Sequence, residues 1–429
     1  MKRFSLLVVV AACHGSPAHQ ATPDAASDGA ANPNPDGATS GCPAGHAGDA
    51  CVLALYDAAA GCDATAVTAF ATEMANRKDP LWAAGRALFS ADHAVSVAGD
   101  WNGWQPTIAL APFCGTQLVL AVTNVPSGFH TYKLVDGQTW LLDPQNPAFA
   151  YDDFAGNNDH QNSVLDTPDS GKGHLVKLAQ ACSTALGNCR NVTAYLPPGY
   201  DADEKKYPVL FMHDGQNVWD NHTCCFGHTG WEVNVTLDSE IAAGKVKPIV
   251  VIAGDNTTNR NNEYGLDDAT AMKFEDFQVS ELQPHALAQV RWDGNKVAIA
   301  GSSLGGLISM ELALRNPGTY SAVASLSGAF WPNMATHDAL RDHFMTLGKQ
   351  ALAMYLDSGG ATSDNSDGAA DTAEIRDMAV NFGWQRGDSP ACTAGPSGLC
   401  YYIEPGATHD ELAWKARAWR FLEFLYPGT

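Results

Sequence analysis

The apolar run Val297-Ala298-Ile299-Ala300 leads into Gly301-Ser302-Ser303-Leu304-Gly305-Gly306 and then into a helix-like stretch through Leu307, Met310 and Leu312. A serine framed this way at a strand-to-helix turn is the G-x-S-x-G arrangement. The turn is so tight that only small neighbours fit, and the central hydroxyl is left projecting at the carboxyl edge of a sheet. Ser303 holds the central position, and Ser302 beside it is the weaker candidate. A serine hydroxyl attacks poorly until a neighbouring base removes its proton, so the chain should supply an acid and then a histidine further on. His409 fits: it follows a strand-like run over 399–403 and lies in Gly406-Ala407-Thr408-His409-Asp410-Glu411, just before a terminal helix with Trp414, Trp419, Phe421 and Leu422. His337 and His343, among 14 histidines, sit in a helix-like stretch with no strand before it and read as surface positions.

The acid that orients His409 should follow the preceding strand, over 351–356. Asp357, Asp364 and Asp367 all lie there, and spacing alone does not choose among them. Stabilising the anion that forms on an attacked carbonyl takes two backbone N–H donors. One is expected from Leu304, directly after the nucleophile. The other is expected from Gln216 in the loop His213-Asp214-Gly215-Gln216-Asn217, where Gly215 would allow close backbone approach. Trp219 and Trp231 are candidates to line an apolar face for an aromatic acyl group, with core packing the alternative.

Around these residues, from 171 to 429, β-branched strands alternate with helix-like stretches, which predicts an α/β unit with a mostly parallel sheet covered on both faces. Residues 79–166 change to short alternating strands separated by turns and predict a small β-sandwich. Residues 46–78 predict a small helical segment holding cysteines, and residues 14–45, poor in large apolar side chains, predict a disordered linker. Met1-Lys2-Arg3 and the apolar run that ends Val10-Ala11-Ala12-Cys13 read as a lipoprotein export signal over 1–13, with Cys13 the point of lipid attachment. The expectation is an exported protein, periplasmic or on the cell surface, held to a membrane through that anchor alone.

With 429 residues the chain has room for more than one core, and its formal charge of −22 argues against nucleic acid as a partner. Ten of the 11 cysteines remain after Cys13, an even number suited to pairing in an oxidising compartment. Cys182 with Cys189 and Cys392 with Cys400 would close small loops, whereas adjacent Cys224 and Cys225 reach separate partners more easily than each other. His222, Cys224, Cys225 and His228 form the dense cluster a metal would need, but export favours disulfides, so neither metal nor cofactor is expected.

Two resemblances sharpen these readings. Gly99-Asp100-Trp101-Asn102-Gly103-Trp104, with Tyr132-Lys133, Asp136-Gly137, Trp140, Asp143-Pro144 and Asn162-Ser163-Val164, resembles the immunoglobulin-like early-set modules of glycogen-branching and debranching enzymes. Some of those bind glucans, which makes Trp101, Trp104 and Trp140 candidate sugar-stacking residues; core packing is the alternative. Leu196-Pro197-Pro198-Gly199-Tyr200, Tyr207-Pro208-Val209-Leu210, His213-Asp214-Gly215-Gln216-Asn217, Arg260 with Glu263-Tyr264, Glu281-Leu282 with Pro284, the Ser303 turn and the His409 loop together resemble an α/β-hydrolase esterase family. That family includes enterochelin, feruloyl and acetylxylan esterases, S-formylglutathione hydrolase and certain mycobacterial acyltransferases. The resemblance implies a carboxylic ester hydrolase working through an acyl-enzyme on a small-molecule or polysaccharide-linked ester. Its acid maps to Asp364, with Asp367 open. Acyl transfer to an alcohol, or a non-catalytic glucan-binding lipoprotein, are the alternatives.

Overall fold

The computed structural model describes residues 42–75, 77, 80–152, 160–202, 204–219, 229–331, 335–361, 363, 365–392 and 395–428. The expected signal, Cys13 and most of the linker lie outside them, as do Asp364, Cys224 and Cys225, His222 and His228. The chain divides into two compact units: among the described residues, the larger takes Tyr151, Asp152 and everything from Gly173 on, and the smaller takes the rest up to Lys172.

In the smaller unit, one antiparallel sheet contains Leu81–Ala83, Arg86–Ala91, Val119–Asn124 and Ala111–Pro112. Ser96–Gly99, Phe129–Asp136 and Gln161–Asp166 pair antiparallel in another. Alternation along Arg86–Ala91 explains the layering. Ala87 and Phe89 face a core shared with Val97, Tyr132, Leu134 and Leu165, while Leu88 faces the other way. There Leu88 meets Val52, Leu55, Phe70 and Met74 of the helices Gly48–Ala59 and Ala64–Met74. The helical segment is thus a third layer on the sheet, closed on its own N-terminal end by the disulfide Cys42–Cys51 and fastened to the loop after Ala111–Pro112 by Cys62–Cys114.

The larger unit is a mixed sheet with helices. Its strands run in the order Gln385–Asp388, Gly398–Glu404, Ala353–Gly359, Tyr320–Leu326, Val297–Ser302, Val209–Met212, Val250–Gly254, Asn188–Leu196 and His174–Ser183. Pairing is parallel from the first of these to Val250–Gly254 and antiparallel beyond. Every residue of Val209–Met212, Val297–Ser302 and Ala353–Gly359 is buried, as strands covered on both faces must be. Cys182 faces Cys189 across the antiparallel pair and bonds to it, and Cys392 bonds to Cys400, both as the spacings suggested. Because the parallel strands point one way, the residues after Met212, Ser302, Leu326, Gly359 and Glu404 gather at one carboxyl edge. No helix among the described residues is long and apolar enough to cross a membrane.

Candidate active site

Ser303 stands alone between a strand that ends at Ser302 and a helix, Leu304–Arg315, that begins one residue later. Its backbone sits at φ 55°, ψ −125°, a conformation costing a non-glycine residue on the order of 1–3 kcal/mol. The surroundings hold it there. Its N–H donates to the Leu326 carbonyl at 3.0 Å, and its own carbonyl accepts from Ala329 at 2.9 Å and Leu307 at 3.1 Å. The glycines are steric necessities, since a Cβ on Gly301 would lie 2.5 Å from the Gly305 carbonyl oxygen and one on Gly306 2.5 Å from Ser325 Oγ.

His409 follows the Gly398–Glu404 strand, and its Nδ1 is hydrogen-bonded to Asp367 Oδ1. The imidazole is 32% exposed and the carboxylate 1%, so the ring reaches the surface while its partner is shut away from water. Of the two described carboxylates after the preceding strand, Asp357 and Asp367, the second is the one on the histidine. Asp357 is turned to the buried Arg417 guanidinium at 3.0 Å, and Asp364 lies outside the described residues. Asp367 reaches inward because Gly359 has no side chain; a Cβ there would lie 2.8 Å from Asp367 Oδ2. Ser327 joins the two halves of the site: Leu326 just before it and Ala329 two residues after it grip the Ser303 backbone, and its hydroxyl donates to Asp367 Oδ2 at 2.6 Å.

Leu304 opens one helix and Gln216 is the second residue of another, Gly215–Trp219. Neither amide has a carbonyl four residues back within its helix, so both are donors at a positive helix end. The Gln216 side chain is occupied elsewhere, its Oε1 accepting from the Asn256 amide at 2.9 Å. Packing holds position 215 to glycine. Its missing Cβ makes room for the Val250–Gly254 strand end, where it would meet Asp255 Oδ1 at 2.8 Å and the Ala253 carbonyl at 3.0 Å, and the left-handed residue of this loop is Asp214, at φ 62°. Asp214 is clamped by Arg260 through Nε and Nη2, both at 2.7 Å, and by Asn256 Nδ2 at 2.6 Å. Burial alone would push the Asp214 carboxyl up, but Arg260 and Asn256 reverse this and hold it below the usual carboxylate range. Burial presses the neighbouring His213 down to about 4, so that ring is a neutral wall. The sequence marked Arg260 only as part of a family string; its clamping role required the fold.

Trp219 and Trp231 are both 2% exposed, and Trp231 packs against Trp414 at 5.6 Å between ring centroids, so these two build the core rather than an open face. Among the described residues, two tryptophans flank His409: Trp414, buried, at 5.2 Å between rings, and Trp331, half-buried, at 6.1 Å. In the smaller unit, Trp101 turns inward, its ring passing under Gly99 and stacking on Phe89 at 5.7 Å. Trp104 and Trp140 lie together at 6.4 Å, with Trp140 exposed on a strand, Thr139–Leu141, that is exposed throughout. Among the described residues, the one group close enough to share a metal is Cys42, Cys51 and Glu73, and its two cysteines are joined as a disulfide.

Residues 183–417 match the family described as Putative esterase, which is more than half of the chain. An uncharacterized protein of Bacillus subtilis, YbbA, is 25% identical over 256 residues, covering 55% of this chain and 92% of that protein. The endo-1,4-β-xylanase/feruloyl esterase of Xylanibacter ruminicola is 30% identical over 156 residues, 34% of this chain and 20% of that one. The iron(III) salmochelin esterase of Escherichia coli O6:H1 is 24% identical over 258 residues, 55% of this chain and 58% of that one. The chain thus spans a fifth and just over half of the length of the last two. A serine in a strained strand-to-helix turn and a histidine on a buried carboxylate at the same sheet edge agree with that match: the chain belongs to the Putative esterase family of hydrolases.

Proposed function

We propose that the protein hydrolyses carboxylic esters with Ser303 as nucleophile, His409 as general base and Asp367 as the acid that orients it. The observation carrying this is the His409–Asp367 hydrogen bond at the sheet edge that also bears the strained Ser303. With Nδ1–H donated to Asp367, the imidazole keeps Nε2 as an acceptor. His409 takes the Ser303 proton as Oγ bonds to the ester carbonyl carbon, and the Leu304 and Gln216 amides receive the developing oxyanion. The proton then passes to the departing alcohol. A water, deprotonated by the same histidine, attacks the acyl-enzyme and releases the acid and Ser303.

For substrate we propose aryl or hydroxyaromatic acyl esters, attached to a sugar or to a siderophore-like lactone. The names of two relatives, a feruloyl esterase and a salmochelin esterase, motivate the class. Trp331 beside His409 offers a flat partner for an aromatic acyl group. In the smaller unit, which we read as an early-set immunoglobulin-like module, Trp104 and Trp140 are the sugar-stacking pair and Trp101 is core. We place the protein outside the cytoplasm, tethered through Cys13; the disulfides support an oxidising compartment. The test is a hydrolysis panel with a feruloyl oligosaccharide, an acetylated xylan, a catecholate trilactone and a long-chain p-nitrophenyl ester. Preference for an aromatic acyl group is expected; preference for the long chain would point to a lipase-like role instead.

A further inference from the structure

Ser327 lies at the end of the Tyr320–Leu326 strand, fully buried, with φ 46°. A non-glycine residue held in that region is strained, and strain of this kind persists where the surroundings enforce it. Here they do so through hydrogen bonds. The Ser327 N–H donates to the Asp357 carbonyl at 2.8 Å. Its Oγ accepts from Trp414 Nε1 at 3.0 Å and from Arg417 Nη2 at 2.6 Å. A serine hydroxyl has two acceptor lone pairs and one proton, so with both lone pairs engaged the proton has one direction left, toward Asp367 Oδ2 at 2.6 Å. That same Oδ2 also accepts from the Gly359 N–H. Donors fill one carboxylate oxygen and leave the other, Oδ1, for His409.

Arg417 sets this arrangement. Its side chain is 1% exposed, with Nε on Asp357 Oδ1 at 3.0 Å and Nη2 3.7 Å from Asp367 Oδ2. One guanidinium thus stands between two buried carboxylates, and Tyr355 donates to the second oxygen of Asp357 at 2.9 Å. A buried cation with this many partners stays charged, and the planar fork fixes where each N–H points.

We propose that Ser327 and Arg417 are positioning residues for ester hydrolysis. They form a relay, anchored on Asp357, that orients the Asp367 carboxylate so that Oδ1 meets His409 Nδ1–H. The proposal rests on the reading of Asp367 as the triad acid. It predicts that losing the Ser327 hydroxyl weakens catalysis without weakening substrate binding. Ser327→Gly is the informative variant because glycine adopts φ 46° freely, so the backbone is relieved while the O–H donor is lost. The expected result is a fall in kcat of about 10- to 100-fold with KM within about twofold, as for one donor to a charged group. The downfield imidazole Nδ1–H proton resonance of His409 should shift or broaden together with it. Arg417→Lys, which keeps a buried cation but not the fork, should lower kcat in the same way and serves if Ser327→Gly fails to fold. Unchanged kcat and an unchanged resonance in a folded variant would overturn the relay. Asp367→Asn separates the two ideas: if it retains full activity, the acid assignment itself fails, whereas if it is inactive and the relay variants are not, the relay alone fails.

Discussion

Asp367 is the described carboxylate that meets His409, and loop conformation brings it there. Asn365, Asp367 and Gly368 all take left-handed backbone angles, which curls the segment after Gly359 back under the histidine. No spacing rule anticipates three such residues in four, so the sequence narrowed the acid to a short run and stopped there. Asp367→Asn should lower kcat by about 10³- to 10⁴-fold by favouring the wrong imidazole tautomer, while Asp364→Asn should stay within a few-fold of the parent, both read from steady-state ester hydrolysis. The Ser303 turn and the His409 loop, which carry the proposed nucleophile and base, were legible because a G-x-S-x-G turn and a histidine after a late strand are local signals. For Trp219 and Trp231 the sequence left an acyl-binding face and the core both open, because proximity to the Gln216 loop says nothing about which way a side chain faces; both face the core.

The helices and strands around the site carry constraints of their own. Gly215 packs on the end of the Val250–Gly254 strand, so Gly215→Ala must push the first turn of its helix outward and with it the Gln216 amide. Loss of one oxyanion donor predicts a fall in kcat of about 10²-fold with little change in fold, measured by kinetics alongside circular dichroism. A second constraint lies on the far part of the nucleophile helix. Glu311 there and Glu275 on Asp268–Phe277 are both nearly inaccessible, with Arg315 Nη1 2.6 Å from Glu275 and His343 Nδ1 2.6 Å from Glu311. Burial, with Glu311 adding repulsion at Glu275, raises both carboxyls from 4.5 to about 8. A folded-state pKa above the unfolded value means the protonated form is favoured in the fold. The contribution is therefore complete below about pH 4.5 and is lost as pH rises toward 8. Glu311→Gln should flatten that decline, so urea midpoints at pH 5 and pH 8 should lie closer together than in the parent; an unchanged gap would mean the pair is not the source. His343, read from sequence as a surface position, faces Glu311 because its helix packs on the nucleophile helix, a contact between elements that periodicity does not encode.

At the scale of the whole molecule, the sequence foresaw an α/β unit after a β-rich unit, because alternation with period 2 and strand–helix succession are strong patterns. It foresaw the helical segment but not that its apolar side would share a core with Leu88 and Leu120, since one strand serving two cores is visible only when both faces are assembled. If the Trp104–Trp140 pair is a sugar platform, replacing both with alanine should weaken retention on an insoluble glucan about tenfold or more while leaving hydrolysis of a small soluble ester unchanged. The central claim, that this chain acts through a serine acyl-enzyme, is tested most directly by treating the folded protein with a fluorophosphonate and mapping the adduct by mass spectrometry. The account predicts one covalent adduct, on Ser303, formed at the expense of esterase activity and absent from Ser303→Ala, whose kcat should fall by about 10⁴-fold or more. Labelling at Ser302 instead, or an active enzyme that takes up no label, would contradict it.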